Sequence, residues 1–92
     1  MIVGTLRVRL LLREARTLKD KRQVVQSIKE KLRQAFNVSV AEIEALDNPR
    51  SVILGMAMVC NEAHPSKQTL GDVVNALKAH PIAEFVDYEL EV

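Results

Sequence analysis

The densest group of ionisable side chains lies between residues 13 and 22, where half of the residues are basic. They are Arg13, Arg16, Lys19, Lys21 and Arg22. Thr17 and Asp20 in the same segment have the spacing of a capping box, in which two side chains bind free amides at the start of a helix. Helix amides and the helix dipole favour anions at such a position, and the five cations add to that field. The segment therefore predicts an anion-binding surface, and an ordinary charged loop is the alternative.

The other residue types that carry out chemistry are less well placed. His64 and His80 are sixteen residues apart, which is not the spacing of metal ligands. Cys60 ends an apolar segment with no basic residue nearby, which favours a buried small hydrophobe over a nucleophile. Glu42 and Glu44 are two residues apart on a predicted strand, so we expect them to share the solvent face. The three glycines are isolated and form no phosphate loop. The sequence predicts no enzyme, no metal site and no cofactor.

Size and composition restrict the class of protein. The 92 residues, 48% of them hydrophobic, predict a single folded domain over 1–92. No apolar run approaches the ~20 residues needed to cross a bilayer. The first residues resemble a strand that already contains Arg7 and Arg9, unlike a signal peptide. We expect a cytoplasmic protein without a membrane partner, and the single cysteine excludes an intramolecular disulfide.

The net charge of +1 conceals an asymmetry along the chain. Residues 7–33 contain ten basic and three acidic side chains, whereas residues 34–92 contain three basic and nine acidic ones. A basic first third is typical of proteins with an anionic partner. The two parts of the chain could also pair with each other, and the topology decides between these interpretations.

Hydrophobic periodicity predicts the elements that position these residues. Residues 2–13 alternate with period two and predict a strand covered on one face. After the capping box, apolar residues recur at helical spacing up to Phe36, and Asn37 is the predicted left-handed stop of that helix. Residues 38–46 are β-type, but the alternation slips between Val40 and Ile43, which predicts a bulge or an exposed edge strand.

The second half of the chain supplies the remaining elements. Residues 47–50 have turn chemistry, and the apolar run 51–60 predicts a central strand. A helix begins around 64–66 and is ended by Pro81. Residues 86–92 alternate again and predict the last strand. The sequence therefore predicts an α+β, ferredoxin-like βαββαβ fold, with a four-stranded antiparallel sheet and two helices on one face.

This topology places the first and last strands side by side. Their polar faces point the same way, so Arg7 and Arg9 should lie opposite Asp87, Glu89 or Glu91. Opposite charges paired across strands contribute about 0.2–1 kcal/mol each. We expect a solvated charge ladder here, and not a ligand site.

The third strand is apolar on both of its faces. One face carries Leu54, Met56 and Met58, and the other carries Ile53, Ala57 and Val59. Because two helices cover only one face of the sheet, one of these stripes remains on the open face, where apolar stripes usually mark an interface. We assign the candidate interface to Leu54, Met56 and Met58, and partial cover by Lys and Arg stems is the alternative.

Three strings of residues resemble a known family. Residues 17–22 (TLKDKR), residues 36–42 (FNVSVAE) and the strand end 55–61 are similar to the YlxP-like bacterial proteins, a domain of unknown function. The resemblance spans nearly the whole chain and implies a small ferredoxin-like protein, often encoded near genes for translation initiation and ribosome maturation. It supplies no catalytic residues. Thr17 stands where the usual pattern has Ser, a change that keeps the cap.

Three functional hypotheses follow. The first is a non-enzymatic binding protein, accessory to translation, whose basic segment contacts RNA or the ribosome through phosphates, because the central strands lack the aromatic residues that stack bases. The second is a module that self-associates, preferably as a dimer, through the open sheet face. The third is an enzymatic role like that of acylphosphatases, which share this fold, but their arginine-bearing phosphate loop is missing here.

Overall fold

The computed structural model describes all 92 residues as four strands and two helices in the predicted order. The elements are β1 (Ile2–Leu11), α1 (Leu18–Ala35), β2 (Ser39–Glu44), β3 (Ser51–Cys60), α2 (Ala63–Lys78) and β4 (Glu84–Glu91). The strands form one antiparallel sheet in the order β2-β3-β1-β4. Both helices pack on the same face of the sheet, so the predicted ferredoxin-like α+β fold is confirmed.

The residues of strand β1 alternate between the core beneath the helices and the open face of the sheet. Leu6, Val8 and Leu10 are buried under the helices, whereas Arg7 and Arg9 point to the opposite, open face. Burying an aliphatic side chain contributes about 1.5–3 kcal/mol, which fixes the register of this central strand. The prediction of a half-covered first strand is confirmed.

Helix α1 begins at the predicted capping box. Thr17 Oγ1 accepts a hydrogen bond from the Asp20 amide at 3.1 Å, and Asp20 Oδ2 accepts one from the Thr17 amide at 3.2 Å. The predicted left-handed stop at Asn37 is wrong. The helix ends in an extended Phe36, whose amide donates to Leu32 O at 2.8 Å, and Ala45 is the only residue other than glycine with a positive φ.

The slip in the alternation of β2 is a bulge. In the pairing with β3, Glu42 lies opposite Leu54 and Glu44 lies opposite Ile53, so one extra residue is inserted between them. Glu42 precedes the bulge and faces the helices like Val40, whereas the bulge turns Glu44 towards the open face. The prediction that these two carboxylates share the solvent face is therefore wrong, because the bulge reverses the alternation between them.

The assignment of Leu54, Met56 and Met58 to an open-face interface is also wrong. These side chains retain only 0%, 3% and 8% of their accessible surface and belong to the core beneath the helices. Strand β3 is apolar on both faces, so its sequence does not show which of its alternate residues face the helices. Pairing with β1 decides this, because the buried Val8 lies opposite Leu54. The residues of this strand on the open side are Ile53, Gly55, Ala57 and Val59, of which Ile53 is itself buried.

Candidate anion-binding surface and open sheet face

The basic segment lies at one end of the sheet, where β1 leads into α1. Of its five predicted residues, Arg13, Arg16, Lys19 and Arg22 are exposed. Arg13 Nε lies 2.8 Å from Glu84 Oε2. Arg16, Lys19 and Arg22 have no carboxylate within ion-pair distance, so their charges remain available to a partner.

Lys21, the fifth residue, is not part of this surface. It is 1% exposed, and its Nζ donates to Ala45 O and to Asn48 O at 2.7 Å each. The same Nζ lies 2.6 Å from Glu42 Oε2, a half-buried carboxylate. The ammonium group therefore donates two hydrogen bonds and forms one ion pair, all inside the protein. The prediction that Lys21 contacts an anionic partner is therefore wrong.

The Lys21 ammonium group holds the β2–β3 hairpin against the helix start. Ala45 has a φ of 57°, a left-handed conformation that costs about 1–2 kcal/mol without glycine. Its carbonyl accepts both from Lys21 and from the Asn48 amide, which lies 3.0 Å away. Asn48 Oδ1 then accepts from the amides of Arg50 and Ser51. Lys21 therefore stabilises a strained turn and fixes its position beside the basic surface.

Arg50 belongs to the same end of the molecule, although its position in the sequence gave no sign of it. It is exposed, and its Nε donates to Ala15 O at 3.2 Å, while its carbonyl accepts from the Leu12 amide at 2.7 Å. These two contacts join the hairpin turn to the loop before α1. The basic surface is defined from here on as Arg16, Lys19, Arg22 and Arg50.

Most amides around the helix entrance already have partners. Asp20 Oδ2 accepts from the amides of Arg16 and Thr17 at 3.0 and 3.2 Å. These backbone hydrogen bonds stabilise the carboxylate and lower the pKa of Asp20 below its ordinary value. Asp20 therefore already places a carboxylate at the positive end of the helix dipole, and the remaining positive field of this surface comes from the cationic side chains.

The outer surface of α1 continues the basic character. A shallow depression of about 710 Å³ runs along it, lined by Lys19, Arg22, Lys29, several uncharged polar side chains, Glu30 and Glu42. Arg33, in the last turn, donates from Nη2 to Val40 O at 2.9 Å. Helix α1 thus presents cations over most of its length, on the side of the molecule away from the open sheet face.

The open face carries the predicted cross-strand register. Arg7 lies opposite Glu89 and Arg9 lies opposite Asp87. The closest partner of Arg7, however, is on the other side: its Nη2 lies 2.9 Å from Glu44 Oε2 of β2. This hydrogen bond, followed by the charge of Glu44, raises the pKa of Arg7. The carboxylates of Asp87, Glu89 and the neighbouring Glu91 have no cation within ion-pair distance.

A trough of about 500 Å³ crosses the middle of the open face. Its floor is made of small side chains, namely Thr5, Ser39, Ala41, Gly55 and Ala57. Ile43, the extra residue of the bulge, forms one wall, and a Cβ on Gly55 would lie 2.9 Å from Ile43 Cγ2. Glu89 and Glu91 line the opposite side. No pattern in the sequence predicts this trough, because it depends on how small side chains of three strands are brought together in the sheet.

The remaining chemical side chains are engaged or isolated. His80 Nδ1 accepts from the amides of Ile82 and Ala83 at 3.2 Å each, so Nε2 carries the proton. Burial, followed by the charge of Lys31, lowers the pKa of His80. Cys60 is half-buried with its Sγ 3.8 Å from Asn61 Oδ1.

No three side chains among His, Cys, Asp and Glu lie close enough together to hold a metal ion. Neither helix has the length and apolar composition required of a membrane-spanning helix.

Comparison with known proteins gives a family but no function. Residues 3–90 match the model of a family described as "Protein of unknown function (DUF503)". No curated protein matches the chain. The match covers both helices, β2 and β3 completely, and all but the first residue of β1 and the last residue of β4.

Proposed function

The chain belongs to the DUF503 family, whose description assigns no function, and from that premise we propose that it is a non-enzymatic RNA-binding protein. Its basic surface at the start of α1 contacts the phosphates of a structured RNA, such as RNA exposed on a ribosomal subunit. The observation that carries the proposal is the exposure of Arg16, Lys19 and Arg22 without any internal carboxylate partner.

The placement of these charges supports the proposal beyond their number. Helix stability alone does not favour Lys19 and Arg22 in the first turns of α1, because cations there oppose the helix dipole. The neighbouring Lys21 stabilises the fold through contacts with three internal partners. Arg16, Lys19 and Arg22 form no internal ion pair, which favours contact with an external anion.

The chemistry of the surface favours phosphates over bases. The three aromatic side chains, Phe36, Phe85 and Tyr88, lie outside the basic surface, and Phe85 and Tyr88 pack together at the end of α2, beneath Lys78. Base recognition in single strands depends on stacking on such rings. Phosphate contacts need only Lys and Arg, so we expect an affinity that depends on salt and on RNA shape more than on sequence.

The test measures the affinity of the protein for a structured RNA hairpin at several salt concentrations. The variant R16A/K19A/R22A removes three charges from the basic surface. The matched control R9A/K67A/K78A removes three exposed charges from the open face and from α2. We expect the first variant to bind at least about tenfold more weakly at low salt, while the control stays close to the wild type.

Equal losses in the two triple variants would mean that only net charge matters, which contradicts a localised surface. Full binding by R16A/K19A/R22A, or binding that is independent of salt, would contradict the proposal outright.

A second candidate function is self-association through the open face. It is favoured by Val3 and Val59, which lie opposite each other and are 48% and 60% exposed. Charge weighs against it, because the open face carries two arginines and four carboxylates and would meet an identical charge in a second copy. Sedimentation of wild-type protein and of V59K separates the cases: a dimer that V59K abolishes supports self-association, and a monomer at high concentration contradicts it.

A further inference from the structure

The geometry of the open face points to a second binding surface, for a basic amphipathic helix of a partner protein. We infer that such a helix lies in the trough floored by Gly55 and Ala57, with Lys or Arg residues on Glu89 and Glu91. This surface is on the opposite side of the sheet from α1, so it is independent of the proposed RNA contact.

The fold leaves two carboxylates beside the trough without a cation. Arg7 lies opposite Glu89 in the sheet register, yet its guanidinium group turns to Glu44. Glu89 and Glu91 consequently line one side of the trough with no cation within ion-pair distance. Two free carboxylates beside a largely apolar floor are complementary to a partner that is basic along one edge.

The shape of the trough allows a partner to come close to the sheet. Its floor consists of Gly55, Ala57 and other small residues, so the backbone of a partner can approach the sheet closely. Ile43 closes the side along β2 and is itself 46% exposed, offering an apolar contact. The Arg7–Glu44 ion pair closes one end, and the exposed pair Val3 and Val59 lies at the other.

The spacing of Glu89 and Glu91 along β4 matches the spacing of side chains along a helix. Glu89 and Glu91 are two residues apart on β4, so their positions along the strand differ by about 6.7 Å. Residues i and i+4 of a helix are separated by about 6 Å along its axis. Two cations four residues apart on a helix can therefore reach both carboxylates while the apolar residues of the same face lie on the trough floor. Covering a sheet face with a helix is the usual solution in layered folds, as on the other side of this sheet.

The net charge of the open face favours a basic helix over a second copy of the chain and over RNA. The open face contains Arg7 and Arg9 together with Glu44, Asp87, Glu89 and Glu91, a net charge of −2. A second copy of the chain would bring an identical negative face, and RNA would bring phosphates. Both meet like charge at the trough, whereas a basic helix neutralises it.

The experiment titrates the protein with a synthetic 16-residue helix of Lys, Leu and Ala, and with the same peptide carrying Glu for Lys. Affinity is measured by fluorescence anisotropy, and backbone amide shifts locate the site. E89Q/E91Q removes the two carboxylates, and A57F fills the floor without changing the charge. The matched control E62Q/D72N removes two exposed carboxylates from outside the trough.

We expect the Lys peptide to bind and to shift the amides of Gly55, Ala57, Glu89 and Glu91. E89Q/E91Q should weaken it about five- to tenfold, the effect of two solvent-exposed ion pairs. A57F should weaken it as well, and E62Q/D72N should bind like the wild type.

Four outcomes would overturn the inference. They are an absence of binding by the wild type, equal binding of the Glu peptide, undiminished binding by E89Q/E91Q or A57F, and shifts confined to another surface. Shifts of the trough amides with protein concentration alone would assign the trough to a second copy instead.

Discussion

Lys21 and Glu42 form a buried ion pair, with Nζ 2.6 Å from Oε2, that joins the first turn of α1 to the edge strand β2. The pair exists because Glu42 precedes the bulge in β2 and faces the helices, opposite Leu54. Buried charges are tolerated when they are paired, and the carbonyls of Ala45 and Asn48 accept hydrogen bonds from the same ammonium group.

The first prediction concerns this pair. K21M should lower the free energy of unfolding by about 3–5 kcal/mol, because it leaves a buried carboxylate without its cation. The double variant K21M/E42L should be more stable than K21M alone, since it removes both charges together. Urea unfolding of the wild type, K21M, E42L and K21M/E42L gives the interaction free energy between the two side chains. Additive losses, or a loss below about 1 kcal/mol in K21M, would contradict the structural role of the pair.

The second prediction concerns the close packing of α2 on β1. Ser66 Oγ is fully buried, has no hydrogen-bond partner and lies against Gly4, where an added Cβ would overlap it and would lie 2.9 Å from Leu70 Cδ1. G4A should therefore destabilise the protein by about 1–3 kcal/mol. S66A should be neutral or stabilising, because the hydroxyl group it removes is unsatisfied, and it should restore part of the loss in G4A.

Gly71 provides the control for this cycle. A Cβ there meets nothing within 4 Å, and the residue lies inside α2, so G71A should stabilise the protein by up to about 1 kcal/mol. Thermal unfolding of G4A, S66A, G4A/S66A and G71A tests the set. A destabilised G71A, or a G4A that S66A fails to rescue, would show that the packing differs from this description.

The fold was largely predictable because its signals are local. Period two in β1 and the helical spacing after Thr17 need only neighbouring residues, and together they dictate the order of elements and the register of Arg7 and Arg9. The sequence could not show which face of β3 meets the helices, because this strand is apolar on both sides. The partner strands decide it, and Met56 is buried because it pairs with the buried Leu6 and Val40.

The candidate site was only partly predictable for the same physical reason. The exposure of Arg16, Lys19 and Arg22 follows from the amphipathic pattern of α1. The burial of Lys21 depends on Glu42, which lies 21 residues away, and on the turn after β2, whose carbonyls at Ala45 and Asn48 accept hydrogen bonds from its ammonium group. Likewise, Arg7 selects Glu44 over Glu89 through a bulge that only the folded sheet reveals.

The third prediction concerns pH and His80. Its unprotonated Nδ1 accepts two amides, and burial followed by Lys31 holds its pKa below the ordinary 6.5. The unfolded chain therefore takes up the proton more readily than the folded one. The stabilisation by His80 is fully present above about pH 6.5 and is lost as the pH falls from there towards the folded pKa.

Thermal unfolding between pH 8 and pH 5 tests this linkage. In H80N the amide oxygen can replace Nδ1 as acceptor without titrating, so the wild type should lose stability relative to H80N as the pH falls below 6.5. H64N, which removes the other histidine, an exposed side chain, is the matched control. Parallel curves for the wild type and H80N, or an equal effect in H64N, would contradict the role given to His80.

The last prediction separates the exposed cations from the buried one. If Arg16, Lys19 and Arg22 each contact one phosphate, every single alanine variant should reduce the slope of log affinity against log salt by about 0.7–0.9. K21M removes the same charge from a position between Lys19 and Arg22, but from inside the protein. Measured on the folded fraction, it should leave the slope for the RNA hairpin unchanged. A slope that falls equally in K21M and K19A would mean that overall charge, and not contact by the basic surface, attracts the RNA.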